Sequence, residues 1–302
     1  MEKGLVTAIV TSYKRKPAVV ERALKSVLNQ TYKNIEIIVV DDSPVDYEFR
    51  DAVRDTVAKY GDKVRYIRHK KNMGACMARN TGIDNAKGEY IAFLDDDDVW
   101  REEKLELQIE KAEESGAGLI YCGIAFVYER TGKTVNVPRT YKRGNIYGEL
   151  MKRNIIGGTS VGLVRHECFE KCGKFDIQQP AAQDYDMWSR IAEKYEVDYV
   201  DKVLLDYYVH AEECISKDPS KRIMGHERLL DKHSAYLNKN PKVMAIRKRN
   251  IAQLYGQGKR FGKMVSSLIC AYFKDPLSVK LNIKATKSSF GYYRKAAKRK
   301  KV

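Results

Sequence analysis

Four consecutive aspartates, Asp95-Asp96-Asp97-Asp98, close the apolar run Tyr90-Ile91-Ala92-Phe93-Leu94. Like charges a few ångströms apart repel by about 1 kcal/mol in water and by several in a partly dry cleft, so such a cluster wants a cation or a shifted pKa. Hard oxygen ligands favour Mg²⁺ or Mn²⁺, and an ion held by one or two carboxylates shares its remaining positions with phosphate oxygens of a substrate. The plainer expectation is an acidic turn in which Asp97 or Asp98 caps a helix from about Trp100; for Asp98 alone, capping is favoured.

The aspartates need elements that hold them. Residues 5–10 and 35–40 are nearly continuous apolar, β-branched runs, the signature of strands buried on both faces. The first stops at Thr11-Ser12-Tyr13 and the second at Asp41-Asp42-Ser43-Pro44. Between them, Val20, Ala23, Leu24, Val27 and Leu28 recur at helical spacing behind Pro17, which suits a first turn. A polar helix is expected over 47–60, a third strand over 64–69, a helix over 75–86 after Asn72-Met73-Gly74, and a fourth strand over 90–94. This alternation predicts an α/β fold of right-handed parallel βαβ units, whose ligands bind beyond the carboxyl ends of the strands.

Further on, the spacing predicts a helix over 102–115, a hairpin from 117–128 and 134–137, a strand and helix ending at Gly173, an acid-rich helix from Gln183, and strands over 197–200 and 204–210. Beyond about residue 218 the pattern is helical and basic, with breaks at Pro241 and Pro276. The chain has 56 Lys and Arg against 40 Asp and Glu. From Pro241 onward there are 17 basic residues and one acid, Asp275, so the last stretch carries the whole net charge of +16 and the body is neutral. With 43% hydrophobic and 10% aromatic residues, a disordered or fibrous protein is excluded. The opening Met1-Glu2-Lys3-Gly4 and six scattered cysteines predict a reduced, cytoplasmic setting; Cys168 and Cys172 read as ordinary thiols on a helix.

Six pieces in order make the sequence resemble a family 2 glycosyltransferase of the GT-A (nucleotide-diphospho-sugar transferase) fold, of the bacterial polysaccharide type. They are Thr11-Ser12-Tyr13, the helix end Ser26 to Tyr32, Ile37 to Ser43, Asn72-Met73-Gly74 with Ala78-Arg79-Asn80-Thr81-Gly82, Gly88 to Leu94 before the aspartates, and Gln183-Asp184-Tyr185-Asp186-Met187-Trp188. The resemblance implies a mostly parallel, doubly wound catalytic domain over 1–217, with a nucleotide-binding half to about 100 and an acceptor half after it, followed by a basic helical region over 218–302. It also implies residue roles. Thr11, Tyr13 and Asp42 would hold the nucleotide base, which makes a UDP-sugar the donor; Arg79 would meet phosphate or ribose; Asp95 and Asp96 would serve the donor, and Asp97 would contact Mn²⁺ or Mg²⁺. His210 stands where related enzymes carry a His that meets the metal or diphosphate. Asp184 corresponds to the general base of a single, inverting displacement, with Asp186 two residues on as its competitor. Gln183 stands where the family often has Glu. Gly157-Gly158-Thr159-Ser160 would face the acceptor, a glycan or lipid-linked glycan.

The basic tail, interleaved with aromatic residues, predicts peripheral attachment to the anionic inner face of the cytoplasmic membrane; no nucleic acid is expected. For the whole protein, a nucleotidyltransferase-like nucleotide-sugar enzyme or an inactive nucleotide-binding module is the alternative. The absence of G-x-G-x-x-G after the first strand, and of a P-loop signature, disfavours dehydrogenases and P-loop enzymes.

Overall fold

A computed structural model describes residues 1–138, 140–209 and 218–298. Strand β1 (Glu2–Ser12) carries the apolar run at 5–10, all of it buried. It lies between β2 (Ile35–Asp41) and β4 (Gly88–Asp95), with β3 (Val64–Arg68) outside β2, and all three pairings are parallel. Helices α1 (Pro17–Leu28), α2 (Arg50–Ala58) and α3 (Ala75–Asn85) make the crossovers. α1 begins on Pro17 and buries Val20, Ala23, Leu24 and Val27. α2 is shorter than the expected 47–60 because Pro44 starts a turn instead: its carbonyl accepts from Tyr47, whose own carbonyl accepts from Arg50. α3 rests directly on β1, since a Cβ on Gly82 would stand 2.4 Å from Ile9 Cγ2.

Past β4 come β5 (Val99–Trp100), α4 (Lys104–Ser115), β6 (Leu119–Tyr128), β7 (Lys133–Asn136), α5 (Tyr147–Lys152), β8 (Leu163–Arg165), α6 (Glu167–Cys172), α7 (Gln183–Lys194) and β9 (Val197–Val209). The sheet order is β3-β2-β1-β4-β8-β6-β9-β5, with β7 paired to β6 as a hairpin. The half from β3 to β4 is wholly parallel. Beyond it the sheet is mixed, because β8 runs antiparallel to both neighbours and β5 antiparallel to β9, while β6 and β9 are parallel.

Two expectations are corrected. No helix starts at Trp100: Val99 and Trp100 pair with Asp206 and Leu205 as β5, and α4 starts at Lys104 behind Glu103, so neither Asp97 nor Asp98 caps it. The two strands expected over 197–210 are one strand, β9, whose register against β6 shifts around Gly123. A Cβ on Gly123 would stand 2.8 Å from the Lys202 carbonyl, so glycine permits the irregularity.

The chain divides into two compact units. The first comprises the described residues of 1–147, 155–177 and 187–211; the second comprises those of 148–154, 178–186 and 212–302. The second contains α8 (Pro219–Lys232), α9 (Ser234–Lys239), α10 (Pro241–Gln257), α11 (Phe261–Lys274) and α12 (Val279–Lys298). Its core gathers Ile223, Ile251, Ala252, Leu254, Tyr255 and Met264, with Phe290 and Tyr293 packed against them. Asp218 caps α8 through Ser220 N–H at 2.8 Å. Pro241 opens α10 and Pro276 lies in the turn between α11 and α12. α10 and α12 meet at Gly256, where a Cβ would be 2.4 Å from Ser289 O. Among the described residues, no helix is long and apolar enough to cross a membrane.

Candidate active site

The register of the parallel strands gathers one set of candidate residues in the first unit. Thr11 is level with Val40 on one side and Asp95 on the other, and Ser12 with Asp41, so the polar ends of β1, β2 and β4 share one edge. Ser12 O accepts from Asp42 N–H at 2.9 Å, and Ser43 Oγ accepts from Lys14 N–H at 2.9 Å. Thr11 is half-buried and Tyr13 is 43% exposed.

Asp41 and Asp42 divide their work. Asp41 is buried and serves the turn: Oδ1 accepts from Ser43 N–H at 2.9 Å and Oδ2 from Tyr66 O–H at 2.6 Å. Asp42 holds the following loop, accepting from Met73 N–H at 2.7 Å and Gly74 N–H at 2.8 Å. Its Oδ1 also meets His69 Nδ1 at 2.7 Å, and His69 Nε2 meets Thr81 Oγ1 at 2.9 Å. A carboxylate offers about four acceptor directions; these contacts fill most of those of Asp42, whose side chain is 4% exposed.

The aspartate run is met by arginines. Asp95 Oδ1 accepts from Arg79 Nη2 at 2.8 Å, and Thr159 Oγ1 lies 3.3 Å from both oxygens. The Arg79 guanidinium sits 5.5 Å from the Phe175 ring centre and is buried. Asp96 accepts from Arg15 Nε at 2.8 Å and from Tyr13 N–H at 2.9 Å, and Arg15 Nη2 also pairs with Asp97. Burial works against the Arg15 charge, but Asp96, then Asp97 and Asp95, outweigh it and raise its pKa. Burial pushes Asp96 up to about 7 against the pull of Arg15. Asp98 is raised well above its ordinary value by burial and then by Asp95, and its Oδ1 has no partner among the described residues. Buried as they are, Asp96 and Asp98 present no open face to a cation.

Asp95 and Asp97 are therefore the acids of the run that fit a metal: their side chains are 36% and 20% exposed. Among the described residues, no group of three or more His, Cys, Asp or Glu is placed to hold an ion unaided. Two carboxylates with the rest supplied by a diphosphate is a donor set that suits Mg²⁺ or Mn²⁺. His210 lies outside the described residues.

In the second unit, Asp184 is half-buried near the start of α7 and accepts from Asn154 Nδ2 at 3.1 Å. Asp186 is buried and takes Lys232 Nζ at 2.6 Å. Tyr185 packs inward, its hydroxyl accepting from Arg247 Nη1 at 2.7 Å. Ala182, just before α7, has φ 57°, a left-handed conformation that costs a non-glycine residue of order 1 kcal/mol. It is held there by the close seat of Ala181: a Cβ on Gly225 of α8 would meet Ala181 O at 2.4 Å. Gln183 Nε2 donates to Gln179 O at 3.1 Å.

In the first unit, Trp188 is fully buried and its Nε1 donates to Gly157 O at 3.0 Å, so it serves as packing. Gly157 has φ 107° and requires glycine, while a Cβ on Gly158 would meet open space. Ser160 Oγ accepts from Asp95 N–H at 3.1 Å. Cys168 and Cys172 are on α6 with both thiols pushed up by burial. Arg15 and His69 escape the sequence motifs. Arg15 had one signal, its place in Lys14-Arg15-Lys16 beside a strand end facing four acids.

A family model described as Glycosyl transferase family 2 matches residues 7–171. The chain belongs to this family. This family 2 glycosyltransferase is 34% identical over 242 residues to an uncharacterised glycosyltransferase of Rickettsia bellii, covering 77% of the chain and 33% of that protein. It is 33% identical over 223 residues to WcaA of Escherichia coli, named for colanic acid biosynthesis, covering 70% of the chain and 75% of WcaA. The chain thus spans about a third of the Rickettsia relative but most of WcaA. Among solved structures, S. aureus TarS 1–349 in complex with UDP-GlcNAc aligns with TM-score 0.63 and 15% identity over 96% of this chain and 92% of that one. The chain has the GT-A fold.

Proposed function

We propose that the chain transfers a sugar, with inversion, from a UDP-sugar to a hydroxyl of a glycan or lipid-linked glycan in the assembly of a bacterial surface polysaccharide. The names of WcaA and of TuaG from Bacillus subtilis, given for colanic acid and teichuronic acid biosynthesis, support the polymer class. The UDP-GlcNAc bound to TarS supports the donor class. In this reading residues 1–217 form the catalytic domain, and the basic helices of 218–302 keep it on the cytoplasmic face of the membrane.

Asp184 removes the acceptor proton. The acceptor oxygen forms its bond to the anomeric carbon while the bond to the diphosphate breaks, and UDP leaves with the electron pair. Mn²⁺ or Mg²⁺, held by Asp97 with Asp95 and by the diphosphate, would offset charge on the leaving group. Arg79 orients Asp95, and Asp42 fixes the 72–74 loop beside the base. Asp96 braces the Tyr13 segment through its N–H. The observation that carries the assignment of the base is burial: Asp186 is fully buried and meets Lys232, whereas Asp184 is half-buried near the start of α7.

The test is donor hydrolysis and transfer with a panel of nucleotide sugars and Mn²⁺ or Mg²⁺, scored by released nucleotide. UDP release supports the reading. Turnover of a nucleoside triphosphate to pyrophosphate, or no turnover with any nucleotide sugar, sinks it.

A further inference from the structure

At the corner between α11 and α12, in the second unit, large apolar side chains stand in water: Phe273 is 76% exposed, Leu277 92%, Val279 53% and Ile283 50%. An open groove runs back from them between the helices, lined by Leu268, Ile269, Tyr272 and Phe290. Clustered exposure of this kind marks an interaction surface.

The corner is also braced. Arg249 of α10 donates to Asp275 Oδ2 at 2.7 Å and to Asn282 Oδ1 at 2.9 Å, and Asn282 Nδ2 donates to Asp275 O at 3.0 Å. The turn that presents Leu277 is therefore tied to the helical core at both ends. The bracing consumes Asp275, the single acid after Asn240, in a buried ion pair. What remains at the surface here is positive: Lys274, Lys280, Lys284 and Lys287 are all exposed around the apolar residues.

We propose that this corner docks on an anionic phospholipid leaflet, with Phe273, Leu277, Val279 and Ile283 entering the acyl boundary and the four lysines meeting lipid phosphates. Charge selects this occupant. A second copy would bring the same positive face against its own, and a nucleic acid backbone has no use for four projecting aliphatic and aromatic side chains. The proposal names the surface behind the membrane attachment proposed above and takes its purpose from that reading, but not its test.

Flotation of the full chain with vesicles of phosphatidylcholine, alone or mixed with phosphatidylglycerol, decides it. The wild type should float with the mixed vesicles and stay behind with phosphatidylcholine alone. The double variant Phe273→Ser/Leu277→Ser should lose about tenfold or more in partitioning, and Lys280→Gln/Lys284→Gln about fivefold per charge, both with unchanged melting temperature. A wild type that does not float, a serine variant that floats as well as wild type, or a dimer in light scattering that Leu277→Ser dissolves would each overturn it. Nucleotide release is measured separately: normal flotation without turnover would sink the proposed function and leave this surface standing.

Discussion

Asp184 and Asp186 lie two residues apart on α7, yet their carboxylates sit differently: Asp186 is fully buried and accepts from the Lys232 ammonium at 2.6 Å, and Asp184 is half-buried and accepts from the Asn154 amide at 3.1 Å. Residues i and i+2 do not share a helix face, so the first turn sets a buried acid and a half-buried one on different faces. Asp184→Asn should lower transfer by about 10²- to 10⁴-fold with donor affinity and melting temperature kept. Asp186→Asn should do the reverse, costing about 3 kcal/mol by neutralising the buried carboxylate that meets Lys232. Steady-state kinetics and urea unfolding of the two variants check this, and full activity in Asp184→Asn removes it from the base role.

Gly225 tests how that turn is positioned. Its missing side chain lets α8 lie against the Ala181 carbonyl, one residue before the left-handed Ala182. Gly225→Ala must push the two backbones apart by several tenths of an ångström, and misplacement of that order near a reacting group is costly. We expect kcat to fall by about tenfold or more while the donor KM stays within about twofold. An unchanged kcat would mean that α8 does not set the position of Asp184.

Chelation bears on the aspartate run. EDTA should abolish transfer, and Mn²⁺ or Mg²⁺ should restore it. Asp97→Asn should raise the metal concentration needed for half activation by about tenfold or more, since a neutral amide replaces one of two charged ligands. Metal titrations of nucleotide release measure this directly; EDTA-resistant transfer would remove the ion from the reaction.

Lys104 supplies a pH dependence of stability. Its side chain is fully buried, with Nζ 2.7 Å from Gln108 Oε1 and 4.2 Å from the Trp100 ring centre. Burial lowers its pKa from 10.5 to about 8. The folded state therefore sheds this proton before the unfolded state does, and stability from this group rises between about pH 8 and 10.5, by roughly 3 kcal/mol in all. Below pH 8 both states hold the proton and the contribution is flat. The difference in unfolding free energy between wild type and Lys104→Met, followed from pH 7 to 10, should move in favour of wild type; a constant difference would place the ammonium in contact with water.

The strands and their polar ends were legible because a strand covered on both faces reads as an unbroken apolar run, and such a run shows where it stops. β5 was not: two residues have no period, and Trp100 looked like the start of α4. Ion pairs were harder still, since the Arg15–Asp96 contact joins residues 81 apart and leaves no local mark. Lys104 lies in Lys-Leu-Glu-Leu-Gln, which reads as a solvated helix face until the fold closes over it. Charge counting raised the question of what offsets the four aspartates, while the arginines that answer part of it came only with tertiary structure.

The pairing of Arg15 with Asp96 and Asp97, beside that of Arg79 with Asp95, has a bearing on biogenesis. Self-repulsion at this strand end is offset from within the polypeptide, so the aspartate run can fold before any cation arrives. In the proposed reading the ion then serves the reaction and not the fold.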